Sequence, residues 1–234
     1  MLVLGVDTAT AAVTAVLAEV DQTGVRELAS AVTVDARAHG ELLAPSVAEV
    51  LATAGRTAGQ LDAVVAGTGP GPFTGLRIGL VTATAMAQTL DIPVYGVCSL
   101  DAVGAVAGPG RVLVATDARR REVYWALYVD GVRQDGPAVA KPADVTVDAE
   151  RALGAGAATY AEVLGLPVAD EPRYPVGTAL VGLATERILA GAPTELLEPR
   201  YLRRPDVTIS AAAKATIPPE AGTATLPEAA GTTR

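Results

Sequence analysis

Histidine, cysteine, tryptophan and phenylalanine occur once each in the 234 residues, and aromatics reach only 3%. Several chemistries are excluded at once. Cys98 alone gives neither an internal disulfide framework nor a multi-cysteine zinc site, and its apolar flank reads as an inert core thiol. His39 alone cannot assemble a zinc or iron hydrolase centre, and a lone histidine at a helix start reads as a capping or surface residue. A Ser-His-Asp triad fails too, because Ser30, Ser46, Ser99 and Ser210 stand in no nucleophile-elbow context. The few aromatics cannot build a stacking surface for bases. With a net charge of −8 and a pI near 4.7, any RNA would have to be met by a partner's positive surface. No signal peptide precedes the first strand and no unbroken run of 18 apolar residues is found, so the expectation is a cytoplasmic chain without a membrane span.

What the chain does have is apolar residues, 50% of the total, supplied by alanine, valine and leucine. They are arranged around Gly67-Thr-Gly-Pro-Gly-Pro-Phe-Thr-Gly-Leu-Arg-Ile-Gly79. The short apolar run 61–66 predicts a buried strand feeding this loop. Pro70 and Pro72 fix φ, and Gly67, Gly69 and Gly71 permit tight turning, so the loop is expected to be stiff. Thr74 is the N-cap candidate for a helix running to Leu90. Along it Gly75, Gly79, Ala83 and Ala87 form a stripe of small residues, suited either to packing within the domain or to a partner helix. The loop is not a nucleotide motif. It has no lysine for a P-loop, and Gly69, Gly71 and Gly75 miss the dinucleotide spacing. Arg77, in the first turn, could hold an anion or cap a carboxylate at an interface.

Residues 2–34 read as a three-stranded antiparallel meander with turn chemistry at 21–24. A helix follows from Gly40 to Gly55, with Pro45 tolerable only near its first turn. After the strand, loop and long helix, the chain starts again. Val112-Leu-Val-Ala-Thr-Asp117 repeats the pattern of Val3-Leu-Gly-Val-Asp7, and 122–130 pairs through Asp130-Gly131 with Val132 onward. Gly-Val-Arg occurs at 24–26 and again at 131–133. A duplicated α/β domain with a cleft between the copies is predicted, the first at 1–108 and a reduced second at 109–205. Residues 206–234, rich in Ala, Thr, Pro, Gly and Glu, read as a disordered low-complexity tail.

Two strands ending in aspartate across a cleft are the arrangement by which actin-like ATPases and sugar kinases hold nucleotide phosphates and magnesium. Asp7 and Asp117 would be the acids, with Thr8, Thr10 and Arg119 nearby. The only candidate adenosine loop, Gly154-Ala-Gly-Ala157, is short, which points to a vestigial site with at most weak ATP or ADP binding. No catalytic constellation is found.

The 67–79 stretch, Leu4-Gly-Val-Asp-Thr-Ala-Thr10, Asp117-Ala-Arg119 with Glu122-Val-Tyr124, and Glu198-Pro-Arg-Tyr-Leu-Arg203 together resemble the TsaB family, also called YeaZ. The resemblance covers about residues 1–205. It implies a duplicated actin-like ATPase fold, also described as ASKHA or ribonuclease H-like, with two subdomains. It implies a subunit, without catalysis of its own, of the bacterial machinery that places threonylcarbamoyl on the N6 of the adenosine next to the anticodon. The partners it implies are the metal-bearing transferase TsaD, the ATPase TsaE in a ternary complex, and a second copy when alone, with tRNA reached only through the complex and no membrane. TsaD carries an H-x-x-x-H metal pair; here Leu43 stands where the second histidine would, so no metal site or required cofactor carries over, and an older glycoprotease label loses its basis. Pairing through first-domain helices would use residues among Glu41, Leu42, Pro45, Thr74, Gly75, Arg77, Ile78, Gly79 and Ala83. The alternative is a free-standing ATPase or small-molecule kinase of the same fold.

Overall fold

The structure is a computed structural model and describes residues Met1–Arg203; the tail expected at 206–234 lies outside the described residues. Met1–Arg203 form one compact unit. Strands β1 (Leu2–Asp7), β2 (Ala12–Asp21) and β3 (Gly24–Val34) make the antiparallel meander. Helix α1 (His39–Thr53) leads to β4 (Ala63–Gly67), then α2 (Phe73–Leu90) and β5 (Val94–Val97). The sheet order is β3-β2-β1-β4-β5, with β4 parallel to β1 and β5 parallel to β4. Strands β1 and β4 are buried along their whole length because helices cover both faces of the sheet, which is why they read as continuous apolar runs.

The second sheet repeats this order. After α3 (Asp101–Gly104) come β6 (Arg111–Asp117), β7 (Val123–Val129), β8 (Val132–Ala140) and β9 (Arg151–Leu153), arranged β8-β7-β6-β9. Where β5 stands in the first sheet, the second has only a parallel bridge between Ala152 and Val168. The two Gly-Val-Arg triplets open the matching strands β3 and β8. Asp130 and Gly131 have φ of 51° and 80°, the pair of positive values that a two-residue type I′ hairpin requires. The α1 equivalent has shrunk to a single 3₁₀ turn at Pro142–Asp144, and short α4 (Ala155–Thr159) and α5 (Ala161–Leu164) replace α2.

Packing crosses the expected boundary at 108/109. One face of the first sheet is covered by α1 and α2 through Leu43, Val47, Val50, Leu80 and Ala83. The other is covered by α3 together with α6 (Gly177–Gly182) and α7 (Thr185–Leu189), whose Leu180, Val181 and Ile188 meet Val3, Val16 and Val65. The chain thus returns to its first sheet after finishing the second. Residues 194–203 then cross back as a strap. Glu195 donates its N–H to the Val94 carbonyl, Arg200 to the Thr68 carbonyl, and the Arg203 side chain to the Ala118 carbonyl beyond β6.

Candidate functional site

The Gly67–Gly79 stretch is moulded on the turn that follows β1. A Cβ at Gly67 would stand 1.7 Å from Asp7 Oδ2, one at Gly71 2.2 Å from the Ala9 carbonyl oxygen, and one at Gly79 2.4 Å from Thr8 Oγ1. No side chain fits at any of them. Thr8 Oγ1 donates to the Gly75 carbonyl at 2.7 Å and accepts the Gly79 N–H at 3.0 Å, inserting into the first turns of α2. Gly75, Gly79, Ala83 and Ala87 are all buried against the same chain. This corrects the reading of the small-residue stripe as a surface for a partner: it is spent on packing within the first copy.

Two further expectations change, and Arg77 finds partners within the chain. The α2 N-cap is Pro72, not Thr74, and Phe73 opens the helix half-exposed, stacked on Tyr201 with centroids 5.0 Å apart. Arg77 is engaged within the chain: its guanidinium lies 4.0 Å above the Phe73 ring, and Nε donates to Tyr201 Oη. His39 is buried, not a surface residue, and its Nε2 donates to the Thr10 carbonyl at 2.7 Å, tying α1 to the β1–β2 turn. The ring therefore faces the turn and not Ser99. Pro45 sits in the second turn of α1 on its exposed side, leaving the Glu41 carbonyl without its helical donor but open to water.

The paired aspartates sit at matching strand ends and differ in every other respect. Asp7 is enclosed. It accepts hydrogen bonds from Ser99 Oγ and from the Ala9 N–H, and Ser99 Oγ in turn accepts the Gly69 N–H at 3.1 Å. Burial pushes its carboxyl up to about 6, against the opposing pull of those two hydrogen bonds. Asp117 is exposed and accepts the Arg119 N–H at 3.0 Å. A cleft of about 530 Å³ opens between the strand ends, lined by Thr10, Arg37, His39, Phe73, Asp117, Arg119 and Tyr174 among others. Asp7 and Thr8 do not line it. The structure therefore gathers Thr10, Asp117 and Arg119 at the cleft but withdraws Asp7 and Thr8, so the two-acid magnesium site does not fit these residues. Among the described residues no three of His, Cys, Asp and Glu come together as a metal site. The thin loop at Gly154 and Gly156 packs on the backbone of Ala115 and Thr116. The Thr116 hydroxyl, buried in the cleft wall, has no hydrogen-bond partner among the described residues.

A second surface lies on the outer sides of α1 and α2. Glu41, Pro45, Thr74, Arg77, Val81, Ala85 and Gln88 are exposed, and Leu42 and Ile78 are half-buried beneath them. Val81 is 65% exposed, and a groove of about 360 Å³ runs beside it between α2 and the strap, floored by Leu80, Leu197 and Pro199. Of the expected partner-binding residues, Glu41, Pro45, Thr74 and Arg77 are thus accessible, while Gly75, Gly79 and Ala83 are not. Ser99 beside Asp7, Thr8 between two helix turns, and Tyr201 over Phe73 were missed from the sequence. Only Thr8 left a signal, a β-turn hydroxyl opposite glycines four apart.

Two sheets of matching order, a shared cleft and helices on both faces of the first define a duplicated actin-like, ribonuclease H-like α/β protein. The comparisons narrow this. The family described as TsaD, tRNA N6-adenosine threonylcarbamoyltransferase, matches residues 29–186. The chain is similar to the solved structure of YeaZ from Pseudomonas aeruginosa, with TM-score 0.70 and 30% identity over 86% of this chain and 99% of that one. An Escherichia coli relative described as tRNA threonylcarbamoyladenosine biosynthesis protein TsaB is 41% identical over 96 residues, 39% of this chain and 42% of that protein. An uncharacterized Mycobacterium leprae protein is 52% identical over 206 residues; the match takes in 88% of this chain but only 55% of that relative. The chain belongs to the TsaB/YeaZ family, within the wider group that includes TsaD. No helix among the described residues is long and apolar enough to cross a membrane.

Proposed function

We propose that this chain is a non-catalytic subunit of the bacterial complex that makes N6-threonylcarbamoyladenosine beside the anticodon, pairing with and activating a TsaD-type transferase. The observation that carries the reading is its likeness to relatives named for that biosynthesis. Support for the subunit role comes from the site itself: Asp7 is locked in a hydrogen-bond network away from the cleft, and His39, which lines the cleft, has its Nε2 committed to the Thr10 carbonyl. The transferase would dock on the exposed sides of α1 and α2 around Glu41, Pro45, Thr74, Arg77 and Val81, where helix–helix packing needs no rearrangement of the fold. The same face would join two copies when the chain is alone, and a TsaE-type ATPase would enter the assembled complex. The setting is the cytoplasm.

The test is reconstitution. Purified chain, mixed with a bacterial TsaD, its threonylcarbamoyl-adenylate donor, TsaE and ATP, should switch on modification of unmodified tRNA and shift on gel filtration from a homodimer to a mixed species. Full TsaD activity without this chain would overturn the reading. A second reading, a free-standing ATPase or kinase, draws on the cleft with Arg119, Asp117 and the unpartnered Thr116 hydroxyl. Magnesium-dependent ATP turnover by the chain alone, abolished in Asp117→Ala, would favour it.

A further inference from the structure

Helix α2 begins at the cleft without a cap. Pro72, Phe73, Thr74 and Gly75 all line the cleft wall. The N–H groups of Phe73, Thr74 and Gly75 precede the first helical hydrogen bond, from the Leu76 N–H to the Pro72 carbonyl, and none of the three has a partner or a capping side chain among the described residues. No acid stands in the first turn to answer the positive end of this 18-residue helix. Water alone would serve an uncapped terminus, but the second copy brings an unmet donor to the same cleft. Thr116, at the end of β6, lines it at 2% exposure, and its hydroxyl has no hydrogen-bond partner among the described residues. A buried hydroxyl left unpaired keeps its desolvation cost until a ligand atom meets it. Two cations stand on the same lining, Arg37 from the segment before α1 and Arg119 from the turn after β6. Only their backbones are engaged among the described residues, each N–H donating to the carboxylate two residues before it. The one acid among the described lining residues, Asp117, is the acceptor of that Arg119 N–H, so two guanidiniums face a single carboxylate.

We propose that this cleft binds a phosphate group without a metal ion, either inorganic phosphate or the phosphate of a small monoester. Backbone N–H groups at a helix end, a hydroxyl and two guanidiniums supply donors from both copies, which suits a tetrahedral oxyanion better than a flat carboxylate. Asp7, the acid that a magnesium-bound phosphate would need opposite Asp117, is enclosed with Ser99 outside the cleft. The charge of the oxyanion is therefore met by the helix end and the arginines. Phe73, Ile78 and Tyr174 line more of the cleft, whose volume of about 530 Å³ far exceeds one phosphate, so an ester with a compact apolar body fills it better than the free ion. The inference goes beyond the subunit role and stands whether or not the chain serves a transferase.

The experiment is titration calorimetry of the full-length chain in EDTA with inorganic phosphate, phenyl phosphate and acetate, each taken to about 10 mM so that a dissociation constant of about 1 mM registers. Phosphate should bind saturably at one site per chain. Tighter binding of phenyl phosphate assigns the site to a monoester, and equal binding assigns it to the free ion. Two variants are compared, Thr116→Val and Arg37→Gln/Arg119→Gln. Each should lose about tenfold or more in phosphate affinity, the weight of one hydrogen bond to a charged group. Without ligand the arginine pair, both exposed, should keep the wild-type Tm, and Thr116→Val should match or exceed it because the valine removes an unpaired buried hydroxyl. That contrast separates a ligand contact from a folding contact, and the arginine pair reads the site even if the valine variant does not fold. No saturable binding of either phosphate, acetate bound as tightly as phosphate, binding that appears only when magnesium replaces EDTA, or unchanged affinity in either folded variant would overturn the proposal.

Discussion

Asp7 shows how one buried side chain sets a pH dependence for the whole fold. Its carboxyl is raised from 3.8 to about 6 by burial, so the folded state binds the proton more tightly than the unfolded chain does. Stability from this group is complete below about pH 4 and is lost as pH rises through about 6. The loss amounts to about 3 kcal/mol, since each pH unit between the unfolded and folded values is worth about 1.4 kcal/mol. Urea unfolding of Asp7→Asn at pH 4 and pH 7 should show the variant gaining on the wild type by that order between the two, since the amide keeps the acceptor for the Ala9 N–H without a charge to desolvate. A constant difference would show that the carboxyl titrates normally. Gly79 is the second decisive position. Gly79→Ala places a methyl 2.4 Å from Thr8 Oγ1, and Gly79→Leu adds more bulk at the same point. The alanine variant should lose about 2 kcal/mol or more, from overpacking and from the strained Thr8 hydrogen bonds, and the leucine variant should not fold. A Gly79→Leu protein with wild-type Tm that merely failed to pair would place the stripe on the surface after all.

Among the elements, α2 organises the most and is the one best legible in the sequence. The strand before it, the tight loop between them and its end at Leu90 follow from the order of glycines, prolines and apolar residues, while its cap lies at Pro72, two residues before the expected Thr74. The direction of its faces does not follow. Periodicity puts Gly75, Gly79 and Ala83 on one side but cannot say whether the backbone they approach belongs to the same chain. The answer depends on Thr8, 67 residues before Gly75, whose hydroxyl reaches into the helix only once β1 and β4 are paired. The same limit explains Asp7. A strand-end aspartate is legible, but its enclosure needs Ser99 from beyond β5, a contact across 92 residues. On the opposite side of α2, Val81→Glu should leave stability within about 0.5 kcal/mol of wild type, because an exposed site tolerates the charge. In the reconstituted mixture it should abolish both the homodimer and the complex with the transferase on gel filtration; retained pairing would move the interface off this helix.

At the scale of the whole molecule, duplication is the plainest feature of the sequence, since both copies open with a buried strand ending in aspartate and both turn through Gly-Val-Arg. What the repeat conceals is the return of α6, α7 and the strap to the first sheet, where Leu180 and Ile188 complete a core that the first 108 residues leave open. Those helices are short and weakly patterned, so sequence alone leaves their partner sheet undetermined. The consequence is mechanical: the cleft is bounded by two sheets stitched together by the later part of the chain, with Arg203 as the last stitch. A compact unit with Asp7 buried and Asp117 exposed at the matching strand ends, and with an exposed helix face, suits the proposed role of a subunit that orders a partner. The most direct measurement of that claim is the N6-threonylcarbamoyladenosine content of tRNA, by mass spectrometry of digested nucleosides, from cells depleted of this chain while their TsaD remains. The account predicts a fall to near zero that returns with the wild-type chain and not with Val81→Glu; undiminished modification in the depleted cells would contradict it.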